Sequence, residues 1–394
     1  MSITRDISRG VHFREEHEIF FREVRRFAET ELLPHREEWE KTGGIPKWVD
    51  KRMGDLGYFG LRIPEEDGGH GCDFFFAVAL AEGLAYSGMP ALMTTGLMAI
   101  DMYPSLLHAY GTKEQKENYL LPLIKGEKRS AIGITEPDAG SDVAAIETRA
   151  RLEGDSWVIN GRKTFITNGD SCDFCVLLAR TSGEGGQHRG LSLFLVDRDT
   201  PGYVVVRRLS KVGLKQMDTC ELAFDDCRIP RGNLVGEEGK GFYLTMGTLD
   251  AERLTTSAFN IARAQVAFEE GVRYSQERIQ FGRPIGEFQV IRHKIADMAV
   301  ELEAARQLVY HAAWLYDQHL PVIKETCMAK FKAANVCWKV MDTVFQIYSA
   351  YAYIDDTPIS HYWRDARMGR IAPGTDEIQL EIIANSILPR VRGK

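Results

Sequence analysis

The hydrophobic period of this chain changes twice, and those two changes limit the folds open to it. Over residues 15–38 the apolar residues Ile19, Phe20, Val24, Phe27, Leu32 and Leu33 fall mostly at helical spacing among many charges, until Pro34 bends or ends the run. The same spacing predicts helices over 48–56, 74–87, 92–110 and 113–125, with turns rich in Gly and Pro, such as 64–69, between them. At the last of these, Thr112 reads as an N-cap with Glu114 and Gln115 in the first turn. After Glu136 the pattern becomes short runs of Val, Ile, Phe and Leu over 157–163, 174–180, 191–196, 203–206 and 220–229, separated by Gly, Asp or Ser. These predict strands. From Phe242 to Ile387 long amphipathic stretches return, broken near 282–286, 318–321 and 357–358. The expected fold class is α+β. It comprises an N-terminal all-α domain (1–129), a central antiparallel β domain or barrel (130–240) and a C-terminal four-helix-bundle-like α domain (241–394).

Composition narrows the function classes. A length of 394 residues with 44% hydrophobic and 27% charged residues describes an ordinary globular chain of two or three domains. A net charge of -7 leaves no basic surplus for a phosphate backbone, so nucleic acid is not an expected partner. No membrane span is expected, because the most apolar helical stretch, 296–316, is interrupted by Asp297, Glu301, Glu303 and Arg306. The first 21 residues are charged throughout and lack the apolar core of a signal peptide, which points to a cytoplasmic protein. Seven cysteines, an odd number, read as free thiols in a reducing compartment. Cys172 and Cys175 form a C-x-x-C, but no second pair stands at a matching spacing, and the 174–178 run reads as a buried strand; no metal site is expected.

At the seam between the helical and strand-rich parts lies Gly133-Ile134-Thr135-Glu136-Pro137-Asp138-Ala139-Gly140-Ser141-Asp142. Too polar for a core strand and too rich in Gly for a helix, it reads as a loop of exposed N–H and O–H donors, suited to an electron-rich ring or a phosphate. On composition alone such loops are more often plain turns. This run, continued by Val143-Ala144-Ala145, resembles position for position the flavin-loop signature of the acyl-CoA dehydrogenases. The 57–73 turn region, the 111–116 helix start and the 222–241 segment are similar to the same family, in the same order along nearly the whole chain. The resemblance implies a β domain between two helical domains, with FAD lodged among them. It also implies α,β-desaturation of an acyl-CoA thioester, in which a carboxylate takes the α-proton while the β-hydrogen leaves as hydride. That chemistry needs a carboxylate at the α-carbon, a flavin face at the β-carbon and donors for the thioester oxygen.

The residues that the resemblance assigns to the cofactor fall in several patches. Ile132, Ile134, Thr135, Gly140 and Ser141 come from the loop, and Phe165, Ile166 and Thr167 from the run 160–169. Phe165 would pack against the isoalloxazine, a place where many members carry Trp, whereas periodicity alone reads it as core. Arg278, Gln280, Phe281 and Gln289 form a second patch, which in the family serves the flavin of a neighbouring subunit and so implies a dimer or tetramer. The third departs from the pattern. The family's Q-x-x-G-G-x-G appears as residues 346–352, beginning at Gln346, with Ser349, Ala350 and Ala352 in place of the glycines. Each adds a Cβ and restricts positive φ. Thr375 and Glu377 complete the cofactor set.

Most members carry the base directly before the Gly-Thr of the C-terminal motif, but here the motif reads Ile371-Ala372-Pro373-Gly374-Thr375-Asp376-Glu377-Ile378. Proline can take no proton. The isovaleryl- and long-chain-type subgroup uses a Glu on an earlier helix, in a motif resembling Leu249-Asp250-Ala251-Glu252-Arg253-Leu254. Glu252 is therefore the candidate base, with Ser141, Asp250, Arg253 and Gly374 as substrate contacts; without the resemblance it reads as a solvated helix Glu beside Arg253. Pro373 also lacks the N–H that in relatives helps bind the thioester oxygen. Leu97, Met98, Met102, Tyr103 and Leu254 are candidates for an acyl pocket. The expected electron acceptor is an electron-transfer flavoprotein. The alternatives are a desaturase of a carrier-protein-bound acyl group, an acyl-CoA oxidase, and a flavin-binding homologue without dehydrogenase activity.

Overall fold

The computed structural model describes residues 9–90, 92 and 103–388. Leu97, Met98, Met102 and most of the 92–110 helix lie outside the described residues. Helix α1 (Glu15–Phe27) buries Phe21, Val24 and Phe27. At the following Pro34 the chain widens into a π turn (Ala28–Leu32) and tightens into a 3-10 turn (Leu33–His35) before α2 (Arg36–Thr42). Helices α3 (Lys47–Asp55), α4 (Phe74–Leu84) and α5 (Tyr103–Tyr110) complete this unit. Thr112 forms the expected capping box, accepting from Gln115 N at 3.2 Å while Thr112 N donates to Gln115 Oε1 at 3.1 Å. Almost every residue of α4 is buried, including Glu82, which accepts from Tyr310 Oη at 2.5 Å and pairs with Arg9 and with Arg306. That network ties the first helices to the third domain.

Among the described residues, the eight strands of the main sheet are β1 (Ser130–Gly133), β2 (Arg149–Glu153), β3 (Ser156–Thr167), β4 (Phe174–Arg180), β5 (Leu191–Asp197), β6 (Tyr203–Arg208), β7 (Thr219–Pro230) and β8 (Leu234–Val235). They form one sheet in the order β6-β7-β3-β2-β4-β5-β8, with β1 beside β4. The pairing is antiparallel as expected, except that β1 and β2 each run parallel to β4. Strand β4 is buried along its whole length because its two faces serve two cores. Phe174, Val176 and Leu178 join the helical core, while Cys175, Leu177 and Ala179 face an inner core with Trp157, Ile159 and Phe194. All seven cysteines are free thiols, Cys172 and Cys175 among them.

The third part consists of α6 (Gly241–Glu277), α7 (Gln289–Asp317), α8 (Ile323–Tyr348), α9 (Pro358–Ala366) and α10 (Asp376–Ile387). A two-residue hairpin, β9 (Ile279–Gln280) and β10 (Arg283–Pro284), joins α6 to α7 through Phe281 and Gly282, both at positive φ. Among the described residues no helix is long and apolar enough to cross a membrane.

Candidate active site

The loop after β1 is fastened to β3 by a charge pair hidden from solvent. Lys163 Nζ donates to Glu136 Oε1 at 2.7 Å and to the Ile134 carbonyl at 3.0 Å. Glu136 also accepts from Glu147 N at 2.7 Å and Thr148 N at 3.0 Å, and Thr164 N donates to the Thr135 carbonyl at 2.9 Å. Burial pushes the Lys163 ammonium down to about 8 despite Glu136 beside it. Burial also works against the Glu136 carboxylate, but Lys163 and the N–H donors outweigh it and hold the group below its ordinary value. Both residues lie inside the motifs, but the resemblance gives neither a role. The signal is a lysine at a position of β3 that packs inward, which demands a buried acidic partner.

This fastening leaves a face open. Phe165 is 66% exposed at φ +58, so it is not the core residue that periodicity suggests. Ile132, Ile134, Thr135 and Thr167 are half-buried, Ile166 is buried, and Gly140 and Ser141 are exposed. A Cβ built on Gly140 meets nothing within 4 Å. Among the described residues, the hydroxyls of Thr135, Ser141 and Thr167 have no protein partner. A standing aromatic ring, open hydroxyl donors and an unfilled glycine turn fit a flat, polar-edged ring system such as a flavin.

The second and third patches meet each other. The Arg278 guanidinium lies 5.3 Å from the centroid of the Tyr351 ring, beside the C-terminus of α8. Gln280, Phe281 and Gln289 are exposed, Phe281 at 93%, as are Gln346, Ser349 and Ala350. Ser349 takes φ 56, ψ -136, a conformation natural to glycine, so the backbone of the glycine motif persists although the residue has changed.

Along α6 the side chains turn inward at the candidate base. Glu252 is 7% exposed and Arg253 6%, between buried Ala251 and Leu254. Arg253 Nη1 donates to Asp250 Oδ1 at 3.2 Å, and Thr326 Oγ1 donates to the same oxygen at 3.3 Å. Tyr103 is fully buried nearby; burial, with the charges of Cys175 and Glu252, pushes its hydroxyl well above the ordinary tyrosine value. The C-terminal motif is held from behind. Lys330 Nζ donates to the Gly374 carbonyl at 2.6 Å, and Gln379 Nε2 donates to the Pro373 and Gly374 carbonyls at 3.2 and 3.3 Å. Thr375 accepts from Ile378 N at 3.3 Å as the N-cap of α10, Glu377 is exposed and Gly374 faces solvent. Lys330 was not singled out by the sequence, where it reads as one of several lysines on an amphipathic helix.

The comparisons with known proteins agree with this arrangement. The N-terminal, middle and C-terminal domain models of acyl-CoA dehydrogenase match residues 14–127, 131–227 and 239–388. The chain is 37% identical over 390 residues to the human mitochondrial short-chain specific acyl-CoA dehydrogenase, covering 98% of this chain and 93% of that protein. It is 37% identical over 382 residues to the subunit CarC of the caffeyl-CoA reductase-Etf complex of Acetobacterium woodii, covering 96% and 100%. Among solved structures, the butyryl-CoA dehydrogenase of Megasphaera elsdenii superposes with a TM-score of 0.91 at 33% identity, over 96% of this chain and 99% of that one. The isovaleryl- and long-chain-type subgroup finds no support here, since relatives are named short-chain and butyryl enzymes. That expectation rested on a single motif, and a carboxylate's position on a helix says little about acyl length. The chain belongs to the acyl-CoA dehydrogenase family.

Proposed function

We infer that Glu252 is the base with which this FAD-dependent acyl-CoA dehydrogenase removes the α-proton of an acyl-CoA thioester. The observation that carries the reading is the burial of Glu252 on α6, while the position usual for the base is held by Pro373. A carboxylate turned away from solvent on a rigid helix can be held in place to take a proton from carbon. Arg253 and Asp250 order the helix turn that carries it, and Ser141 and Gly374 are assigned to the substrate side. FAD, when bound, supplies the acceptor for the β-hydride. Ile132, Ile134, Thr135, Gly140, Ser141, Phe165, Ile166 and Thr167 would hold it from one subunit, with Thr375 and Glu377. Arg278, Gln280, Phe281, Gln289, Gln346, Ser349 and Ala350 would reach it from a neighbour, which makes the working form a dimer or tetramer. Because Pro373 has no N–H, the thioester oxygen has one donor fewer from the chain than in relatives.

We also assign the domain limits 1–129, 130–240 and 241–394, an electron-transfer flavoprotein as acceptor and a cytoplasmic location. The complex named for the Acetobacterium relative supports the acceptor, and seven free thiols support a reducing compartment. The test is anaerobic mixing of flavin-loaded protein with a panel of acyl-CoA thioesters. The natural chain bleaches at 450 nm with at least one of them, and Glu252→Gln keeps its flavin but does not bleach. Bleaching by Glu252→Gln at the natural rate would move the base elsewhere.

A further inference from the structure

Lys330 combines complete burial with the lack, among the described residues, of a carboxylate in ion-pair reach. It has no exposed surface, and its ammonium is bonded to a peptide carbonyl, that of Gly374. The acid that acts on it most strongly, Asp376, accepts through Oδ2 from Arg370 Nε at 2.7 Å and from Asn335 Nδ2 at 3.1 Å, and makes no ion pair with it. Keeping a cation in such a place is costly unless its charge is used. The carbonyl it grips belongs to Gly374, the residue after the proline at which this chain has lost an N–H, and Arg253 of the Glu252 turn is among the charges that act on Lys330.

We propose that Lys330 is a positioning residue of the thioester end of the site: from the N-terminal third of α8 it fixes the Gly374 carbonyl, and places a buried cation against the Gly374–Thr375 peptide. The proposal rests on the function proposed above. With one donor missing at Pro373, a fixed positive charge behind the turn favours the negative charge that grows on the thioester oxygen as the α-proton leaves. The groups that act on Lys330 are Asp376 and Glu377 of α10, Arg253 of α6 and Cys327 of its own helix. Burial, the largest effect, brings the ammonium down to about 8, with Asp376 opposing and Arg253 reinforcing. Burial pushes the Cys327 thiol up to about 11, so it stays neutral over the same range.

The experiment compares the natural chain with Lys330→Arg and Lys330→Met, each loaded with FAD. Flavin content at 450 nm is equal in all three. The rate of anaerobic bleaching in the natural chain falls as pH rises through about 8, because the ammonium is lost. Lys330→Arg, which stays charged, retains its rate to higher pH. Lys330→Met bleaches about 10²-fold more slowly, the scale of a misplaced reacting group. Calorimetry in a Glu252→Gln background, where no turnover occurs, gives an acyl-CoA dissociation constant that Lys330→Met leaves within about threefold, because the charge it favours grows only as the proton leaves. An alkaline limb in Lys330→Arg identical to the natural one overturns the proposal, and would point instead to the other buried lysine, Lys163, which also titrates at about 8. A bleaching rate unchanged in Lys330→Met overturns it as well. Neither result bears on Glu252, whose role is decided by the bleaching of Glu252→Gln alone.

Discussion

Replacing Lys163 by Met separates the fastening of the flavin loop from the chemistry. The Lys163 side chain is fully buried and that of Glu136 8% exposed, so the substitution leaves a carboxylate inside the protein without its counter-charge. Removing one partner of a buried pair costs about 3–5 kcal/mol. Glu136 keeps the N–H groups of Glu147 and Thr148, and hydrogen bonds to a charged group contribute about 1.5–3 kcal/mol each, which places the cost near the lower end, about 3 kcal/mol. At about 2.1 cal/mol/K of unfolding entropy per residue, 1 kcal/mol moves the melting midpoint of the 394-residue chain by about 1.2 °C, so Lys163→Met melts about 4 °C lower.

The deficit also depends on pH. In the natural chain Glu136 is held below its ordinary value, so its stabilisation is present at neutral pH and is lost as pH falls through that lowered value. In the variant burial prevails and raises the carboxylate, so the folded chain takes up a proton before the unfolded one does and the deficit shrinks on acidification. Calorimetric melts at neutral pH and near pH 5, with flavin retention read at 450 nm, check both points. Adding Glu136→Gln to Lys163→Met recovers part of the loss, since no charge is then stranded. A deficit under about 1 kcal/mol, or one that does not change with pH, refutes the reasoning.

Ser349→Gly relieves a strain of about 1–3 kcal/mol at φ 56, ψ -136 and adds about 0.4–1 kcal/mol of unfolded-chain entropy, for a net gain of about 1 kcal/mol in denaturant unfolding; a loss would contradict it. Phe165→Ala leaves the melting midpoint of the flavin-free protein nearly unchanged, because the ring is 66% exposed, yet lowers affinity for FAD in a fluorescence titration. Destabilisation of about 3–5 kcal/mol would instead mark Phe165 as core.

The order of helical, strand-rich and helical parts was legible because each keeps its own period over many residues. The details that escaped have local causes. Strand β2, with the burial pattern eBeee, offers one buried position in five, and β8 has only two residues. Strand β1 ends inside the glycine-bearing run that reads as loop, and its parallel partner β4 is chosen by tertiary packing. Phe165 was ambiguous because the pairing of β3 with β7 shifts between Lys163 and Ile166. Across such a bulge the inside-outside alternation slips, and Lys163 and Thr164 are both buried while Phe165 turns out. The burial of Glu252 was not legible in the spacing, since a Glu beside an Arg on a helix is ordinarily solvated. Lys330 was hidden because its burial depends on the 373–379 segment, distant in sequence.

The central claim is that the Glu252 carboxylate removes a proton from the substrate's α-carbon. Incubation of flavin-loaded protein with an acyl-CoA in D2O, followed by mass spectrometry of the recovered thioester, observes that step directly. The account predicts α-deuterium incorporation by the natural chain and none above the uncatalysed rate by Glu252→Gln with a full complement of flavin. Deuterium entering at the natural rate in Glu252→Gln would contradict it.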